Sequence, residues 1–129
     1  MSQENFKSWS GKTILLVDDD ELCGILLFEI FNPYKINFVY IADGYKAVEY
    51  CQKNKNIDLV LMDIKLHNID GFQVTKLIKN LNPQLPVIFF TAYLLSEIKE
   101  KCFESGCDEI ISKPFNMDEL FSKIDYFFK

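Results

Sequence analysis

The sequence predicts an α/β fold, a single (βα)5 domain built on one doubly wound parallel sheet. Short apolar runs, typical of strands covered on both faces, alternate five times with segments of helical periodicity. The connections between them are short, as in right-handed crossovers. Four of the five strands end in a charged or hydroxyl residue, whereas the second ends in Ala42. This strand is therefore expected at an edge, in the order 2-1-3-4-5.

Length and composition limit the classes of protein to which the chain could belong. The 129 residues, 49% hydrophobic, suit one domain with a full core. A net charge of −5 disfavours contact with a phosphate backbone, so no direct nucleic-acid partner is expected. The absence of an apolar run of transmembrane length predicts no membrane insertion and a cytoplasmic location. The four cysteines form no Cys-x-x-Cys pair, so no zinc site or redox motif is indicated, and they are expected to be reduced thiols in the core or on a helix face.

The chain divides into a polar segment, residues 1–12, and a domain, residues 13–129. The first segment contains Gly11 and lacks periodicity, so we interpret it as a tail or linker. Trp9 could pack on the domain, belong to an interface with a preceding segment, or stand in a partly ordered tail.

The first strand, Thr13 to Val17, runs into three consecutive carboxylates. Asp20 is expected to cap the helix that follows, from Glu21 to about Phe31. Asp18 and Asp19 are not explained by capping. The helix is expected to turn four apolar residues inward: Leu22, Ile25, Leu26 and Ile30.

The second and third strands are each followed by a helix, like the first. A strand over 36–41 leads through Asp43, a predicted cap, into a helix ending near Lys53. The third strand, from Ile57, stops abruptly at Asp63. A loop follows, and Asp70-Gly71 marks the turn into a helix over 72–80. His67 in that loop is expected to be solvated, because a metal site usually needs several such ligands.

The last two strands are followed by a hydroxyl group and an ammonium group. The fourth strand, 87–90, leads into Thr91-Ala92, and its helix, 96–105, is expected to stop at Gly106 in a left-handed conformation. The fifth strand, 108–112, ends at Lys113. The last helix, 117–128, is predicted to be capped by Asn116.

In a parallel sheet these strand ends share one edge, and their charges indicate the chemistry. Two carboxylates about 4 Å apart repel by roughly 4 kcal/mol at an effective dielectric near 20. Asp18, Asp19 and Asp63 therefore need cations, which Lys113 and a hard divalent ion such as Mg²⁺ could supply.

A carboxylate in that setting is a plausible phosphoryl acceptor, since such transfer depends mainly on positioning and charge neutralisation. Asp63 would form an acyl phosphate. The Thr91 hydroxyl, the Ala92 amide and Lys113 would bind its oxygens.

The sequence resembles the receiver domain of two-component response regulators, and its sheet the flavodoxin-like order. The resemblance covers about residues 12–129 and is carried by four pieces: Leu16-Val17-Asp18-Asp19-Asp20, Asp58 to Asp63 with Asp70-Gly71, Thr91-Ala92, and Lys113-Pro114. It implies that Asp63 is the phosphoacceptor and that Asp19 and Asp63 bind Mg²⁺ directly. Asp18 would act through water, and the Lys65 backbone carbonyl would complete the metal shell. A cis bond before Pro114 is also implied.

The resemblance further implies partners and a switch. The phosphoryl donor would be a histidine kinase or a histidine phosphotransfer domain, and an output domain or protein would read a surface of helix four, strand five and helix five. Thr91 would move toward the phosphoryl group together with an aromatic residue, but this chain has Ile110 at that position. We expect phosphorylation to be kept and its coupling to that surface to be altered. Lys65 and Tyr93 would tune the phosphoryl lifetime, and His67 stands where such domains often have proline.

Several questions of context stay open in the sequence. The segment Trp9 to Lys12 and the residues around Gly106 are most similar to receivers of hybrid sensor kinases, so the chain could be a domain of such a kinase or a stand-alone regulator. A homodimer is possible. The chain is not expected to be an enzyme beyond its own phosphorylation and dephosphorylation.

Three rival interpretations have distinct signatures. A pseudo-receiver would keep the fold as an interaction module without regulation by phosphorylation. An FMN protein would want a Gly/Ser/Thr-rich loop after the first strand, where this chain has carboxylates. A phosphatase with an aspartate nucleophile would need a specificity insert that the short connections do not hold.

Overall fold

A computed structural model describes residues 8–92 and 96–129. The strands are β1 (Thr13–Val17), β2 (Asn37–Ile41), β3 (Leu59–Met62), β4 (Val87–Thr91) and β5 (Glu109–Ser112). The helices are α1 (Glu21–Phe31), α2 (Gly44–Lys53), α3 (Gly71–Leu81), α4 (Ser96–Glu104) and α5 (Met117–Phe128).

The five strands form one parallel sheet in the order β2-β1-β3-β4-β5, which confirms the predicted architecture. Ile14 pairs with Leu59 across β1 and β3, and Phe89 pairs with Ile110 across β4 and β5. Since all strands run the same way, their carboxyl ends meet at one edge. That edge carries the charged residues predicted from the strand ends.

The sheet is covered on both faces, which explains why its strands read as unbroken apolar runs. Successive residues of β1 and β3 enter opposite layers: Leu16 and Leu61 belong to one buried cluster, Leu15 and Val60 to the other. The four cysteines are buried and free, as expected. Within the described residues, no helix combines the length and apolar character needed to cross a bilayer.

Side-chain caps begin the helices at the predicted places. Asp20 accepts a hydrogen bond from the Leu22 amide, and Asp43 accepts one from the Lys46 amide. Asn116 caps α5 through two amides. Gly106 ends α4 with φ of +100°, the left-handed conformation expected of it.

The inward face predicted for α1 is wrong. Leu22 is 74% exposed, Ile25 62% and Leu26 48%, while Ile30 is only half-buried against the core. The helix instead buries a neighbouring set: Cys23, Gly24, Leu27 and Phe31. Because α1 is apolar nearly all round, periodicity could not select the face. Gly24 helps to select it, since a Cβ there would lie 3.1 Å from the Tyr40 ring.

Trp9 packs on the domain. Its side chain is fully buried, and its Nε1 donates a hydrogen bond of 2.9 Å to Asp125 Oδ1 on α5. Four aromatic rings surround it, with centroids 5.1–6.4 Å away: Phe31, Tyr34, Phe121 and Phe128. The tail interpretation therefore does not hold for this residue, although the domain boundary itself stays a prediction.

Candidate functional site

The ends of β1, β3, β4 and β5 bring the predicted site residues together. Backbone hydrogen bonds continue the sheet into the site, from the Asp63 amide to Val17 O (2.9 Å) and from the Lys113 amide to Thr91 O (2.8 Å). The side chains that follow each strand are therefore held by the sheet.

Three carboxylates form an acidic cluster at this edge. Asp18, Asp19 and Asp63 each offer an oxygen, and these atoms lie within 4.8 Å of one another. Asp18 is fully buried, Asp63 is 9% exposed, and Asp19 is open to solvent. A set of carboxylate oxygens with one solvent-facing member suits a hard, oxygen-preferring cation that keeps waters, so the donor set fits Mg²⁺.

Lys113 lies between two of these carboxylates. Its Nζ is 2.5 Å from Asp18 Oδ2 and 4.0 Å from Asp63 Oδ2. Burial alone would lower its pKa, but the hydrogen bond to Asp18 and the charge of Asp63 raise the pKa of Lys113 above its ordinary value. The group stays an ammonium and offsets part of the cluster's charge.

The environment of Asp63 disfavours its ionised form. Burial raises the pKa of its carboxyl to about 6, with the charge of Asp18 acting in the same direction. Lys113, the Ile64 amide and the Thr91 hydroxyl lower the pKa in part. Since a nucleophilic carboxylate must be ionised, additional positive charge in the site would favour its reaction.

Thr91 is fully buried at the end of β4, with its hydroxyl hydrogen-bonded to Asp63. Ala92 follows it and is exposed. Lys65 lies two residues after Asp63, with an exposed side chain. Ile110 is buried in β5, beside the site rather than in it. Tyr93 lies outside the described residues.

Gly71 contributes to the site although it carries no reactive group. Its amide donates a 2.7 Å hydrogen bond to Ile64 O, which closes the loop after Asp63. A Cβ at this position would collide with the carbonyl oxygen of Asp63. The Asp70-Gly71 pair indicated a turn, but the close approach to Asp63 depends on tertiary structure and could not be predicted.

A family profile described as "response regulator receiver domain" matches residues 14–125. The chain belongs to this family. Its charged and hydroxyl motif residues Asp18, Asp19, Asp63, Thr91 and Lys113 lie at the sheet edge described above.

The curated relatives that this chain matches are longer than the segment they share with it. It is 39% identical over 107 residues to the sensor histidine kinase RcsC of Escherichia coli, covering 83% of this chain and 11% of that one. It is 35% identical over 114 residues to a cyclic di-GMP phosphodiesterase of Thermotoga maritima, covering 88% of this chain and 30% of that one. The chain thus spans less than a third of the length of these relatives.

Solved receivers share the fold. A CheY-like receiver domain protein of Methanospirillum hungatei superposes with a TM-score of 0.84 at 27% identity, covering 91% of this chain and 93% of that one. The receiver of a Pseudomonas aeruginosa sensor histidine kinase, solved with magnesium coordinated in its active-site cleft, gives 0.84 at 27%, covering 92% and 98%. This chain is a receiver domain of the two-component type.

Proposed function

We propose that Asp63 is the phosphoacceptor of this receiver and takes a phosphoryl group from a phosphohistidine. The observation that carries the proposal is the position of its carboxylate, at the end of β3, within 4.8 Å of two other carboxylates and 4.0 Å from Lys113 Nζ. The pseudo-receiver alternative is not favoured, because every chemical group that the reaction needs is present.

The transfer exchanges one bond for another. A carboxylate oxygen of Asp63 forms the new P–O bond as the P–N bond to the donor imidazole breaks, and the bonding electron pair stays on the imidazole nitrogen. Asp63 must be ionised, and Lys113 supplies a positive charge beside it. The Thr91 hydroxyl and the Ala92 amide donate hydrogen bonds to the phosphoryl oxygens, which hold the accumulating negative charge.

Asp18, Asp19, Asp63 and the Lys65 backbone carbonyl would hold Mg²⁺. This assignment is supported by the donor set and by the related receiver solved with magnesium. The ion would neutralise charge on the carboxylates and on the incoming phosphoryl group. Of the three carboxylates only Asp19 is exposed, which leaves room for water on its side.

Phosphorylation would be read at a surface made by α4, β5 and α5. Ile110 lines a cavity of about 230 Å³ there, together with Phe103 and Lys123. The Lys123 ammonium donates a 2.7 Å hydrogen bond to Ile110 O and so ties α5 to β5. A branched aliphatic side chain cannot make the ring rotation expected of an aromatic residue, so we propose that Thr91 retains its role while coupling to this surface is weaker.

The partners belong to the same proposal. A histidine kinase or a histidine phosphotransfer domain would supply the phosphoryl group, and an output domain or protein would respond. The chain's own chemistry would be limited to gaining and losing that group. The four free thiols fit a reducing compartment, which supports the cytoplasmic prediction. Homodimer formation stays a prediction.

Intact mass after incubation with acetyl phosphate tests the proposal. The wild type should gain one phosphoryl group with Mg²⁺ and none with EDTA, and Asp63→Asn should gain none. Asp70→Asn is the matched control, because Asp70 caps α3 seven residues away and should leave phosphorylation intact. A folded wild type that gains no mass with Mg²⁺ would favour the pseudo-receiver.

A further inference from the structure

β5 is an edge strand of the sheet. It ends the strand order and, among the described strands, pairs with β4 alone. In a parallel ladder, alternate residues of a strand turn their amide and carbonyl to the same neighbour. The amide of Lys113, which follows β5, bonds Thr91 O on β4, so Ile110, three residues earlier, turns its amide and carbonyl to the free edge. Unpaired backbone groups along an edge are a template for pairing with another strand.

Two side chains cover this edge at Ile110. Glu109 Oε1 accepts a 2.8 Å hydrogen bond from the Ile110 amide, and Lys123 Nζ on α5 donates a 2.7 Å bond to Ile110 O. The same ammonium lies 3.6 Å from Glu109 Oε1 and 3.7 Å from Glu119 Oε2. Both backbone groups of Ile110 are therefore satisfied by side chains that a second strand would have to displace.

The two covering side chains can leave the edge without disturbing the core. The Glu109 side chain is 38% exposed and the Lys123 side chain 29%, so each reaches water on release. An ion pair this open to solvent contributes only about 0–1 kcal/mol. A cavity of about 230 Å³ lies beside Ile110, and the exposed ring of Phe103 lines it. A second strand would therefore find both space and an apolar contact at this edge.

The partner that fits the uncovered edge is a second copy of this chain. In an antiparallel pair, two residues directly opposite each other exchange both of their hydrogen bonds. A two-fold axis at Ile110 would let the amide of each copy bond the carbonyl of the other. Two ammonium and two carboxylate groups line the cavity: Lys99, Lys123, Glu109 and Glu119. Because the signs are equal in number, each ammonium can face a carboxylate of the other copy.

We propose that β5 carries a strand-pairing surface for a second copy of the chain, and that Glu109 and Lys123 keep this surface covered. With the cover in place, two copies do not pair through β5. When both covering groups are removed, they pair at Ile110. The surface lies outside the carboxylate cluster, so the inference does not rest on the proposed phosphorylation of Asp63.

Sedimentation velocity of the full chain over a concentration series tests the proposal. Glu109→Ala with Lys123→Met should lower the dimer Kd at least about tenfold relative to the wild type, because two hydrogen bonds no longer compete with pairing. Glu49→Ala with Lys53→Met is the matched control, since it removes an exposed ion pair of 2.9 Å on α2 and should leave the dimer Kd unchanged. Each double variant removes one positive and one negative charge, so the net charge stays −5.

Amide hydrogen exchange at Ile110, followed by NMR, locates the contact. In the double variant this amide should exchange faster than in the wild type at low concentration, and its protection should rise as the dimer forms. Lys123→Arg keeps a donor over the carbonyl and should behave as the wild type. If the double variant does not fold, Lys123→Met alone, which uncovers the carbonyl, takes its place. An uncovered variant with the dimer Kd of the wild type, or a dimer in which the Ile110 amide stays unprotected, would overturn the inference.

Discussion

At the scale of single residues, the ionised carboxylate of Asp63, the proposed phosphoacceptor, lowers the stability of the fold. Its pKa in the fold is about 6 against an ordinary 3.8, so the unfolded chain ionises it more readily. The resulting contribution to stability is full below pH 3.8 and is lost as the pH rises through 6. At 1.36 kcal/mol per unit, the ionised carboxyl costs up to about 3 kcal/mol above pH 7 without a cation.

Asp63→Asn should therefore be more stable than the wild type in EDTA, by up to about 3 kcal/mol at pH 7.5, with the difference shrinking toward zero at pH 4. Urea unfolding at several pH values measures this. Asp70→Asn, an exchange of one good helix cap for another, should show no such pH-dependent gain. A wild type as stable as Asp63→Asn at pH 7.5 would mean that Asp63 is not strained by its surroundings.

The sequence predicted the positions of those site residues that directly follow a strand. The carboxylates after β1 and β3 and the ammonium after β5 were placed correctly at one sheet edge, because an apolar run that stops at a charge marks both the strand end and the edge. Gly71 was missed as a site residue. Its role depends on a close approach to the Asp63 backbone that spacing along the chain does not encode.

At the scale of elements, the loop after Asp63 depends on the start of α3. Gly71→Ala should lower the free energy of unfolding by about 1–3 kcal/mol, because the new methyl group must displace the Asp63 backbone. It should also weaken Mg²⁺ binding, since Asp63 and Lys65 share that loop. Urea unfolding and calorimetry check the two effects. Gln73→Ala, an exposed change on the same helix, should alter neither, and wild-type affinity in Gly71→Ala would refute the link.

The segment before β1 is predicted to be part of the stability of the domain. Trp9→Ala should cost about 3–5 kcal/mol, because it empties an aromatic cluster and leaves Asp125 without its indole donor. Denaturant unfolding measures the loss. Tyr126→Ala on α5 is the control, since this aromatic side chain is 73% exposed and its removal should stay within about 0.5 kcal/mol. An equally small effect of Trp9→Ala would mean that the segment does not pack in solution.

The helices differ in how well hydrophobic periodicity predicts their structure. α2, α3 and α5 have one apolar stripe, and their boundaries came within a residue or two of prediction. α1 has apolar residues on nearly every side, so periodicity does not show which face is buried. The Leu27 face is buried because it packs on Tyr40 and on the core cluster that contains Trp9, whereas Leu22 stays exposed. Trp9 itself stands in a polar segment whose sequence gives no periodic signal.

At the scale of the whole molecule, cation binding and folding should be linked. Mg²⁺ at 100 times its Kd should stabilise the wild type by about 2.7 kcal/mol, because the three carboxylates converge only in the fold. The urea midpoint with and without Mg²⁺ gives this shift. Asp19→Asn should lose most of it, whereas Asp43→Asn, a cap of α2, should keep it. Equal shifts in all three proteins would indicate binding elsewhere.

The central claim is that Asp63, among the carboxylates at the sheet edge, carries the phosphoryl group. Borohydride reduction converts an aspartyl phosphate into homoserine, and peptide mass spectrometry then locates it in the chain. After incubation with acetyl phosphate and Mg²⁺, the account predicts homoserine at position 63 and none at positions 18, 19 or 20. Homoserine at one of those positions, with Asp63 unmodified, would contradict it.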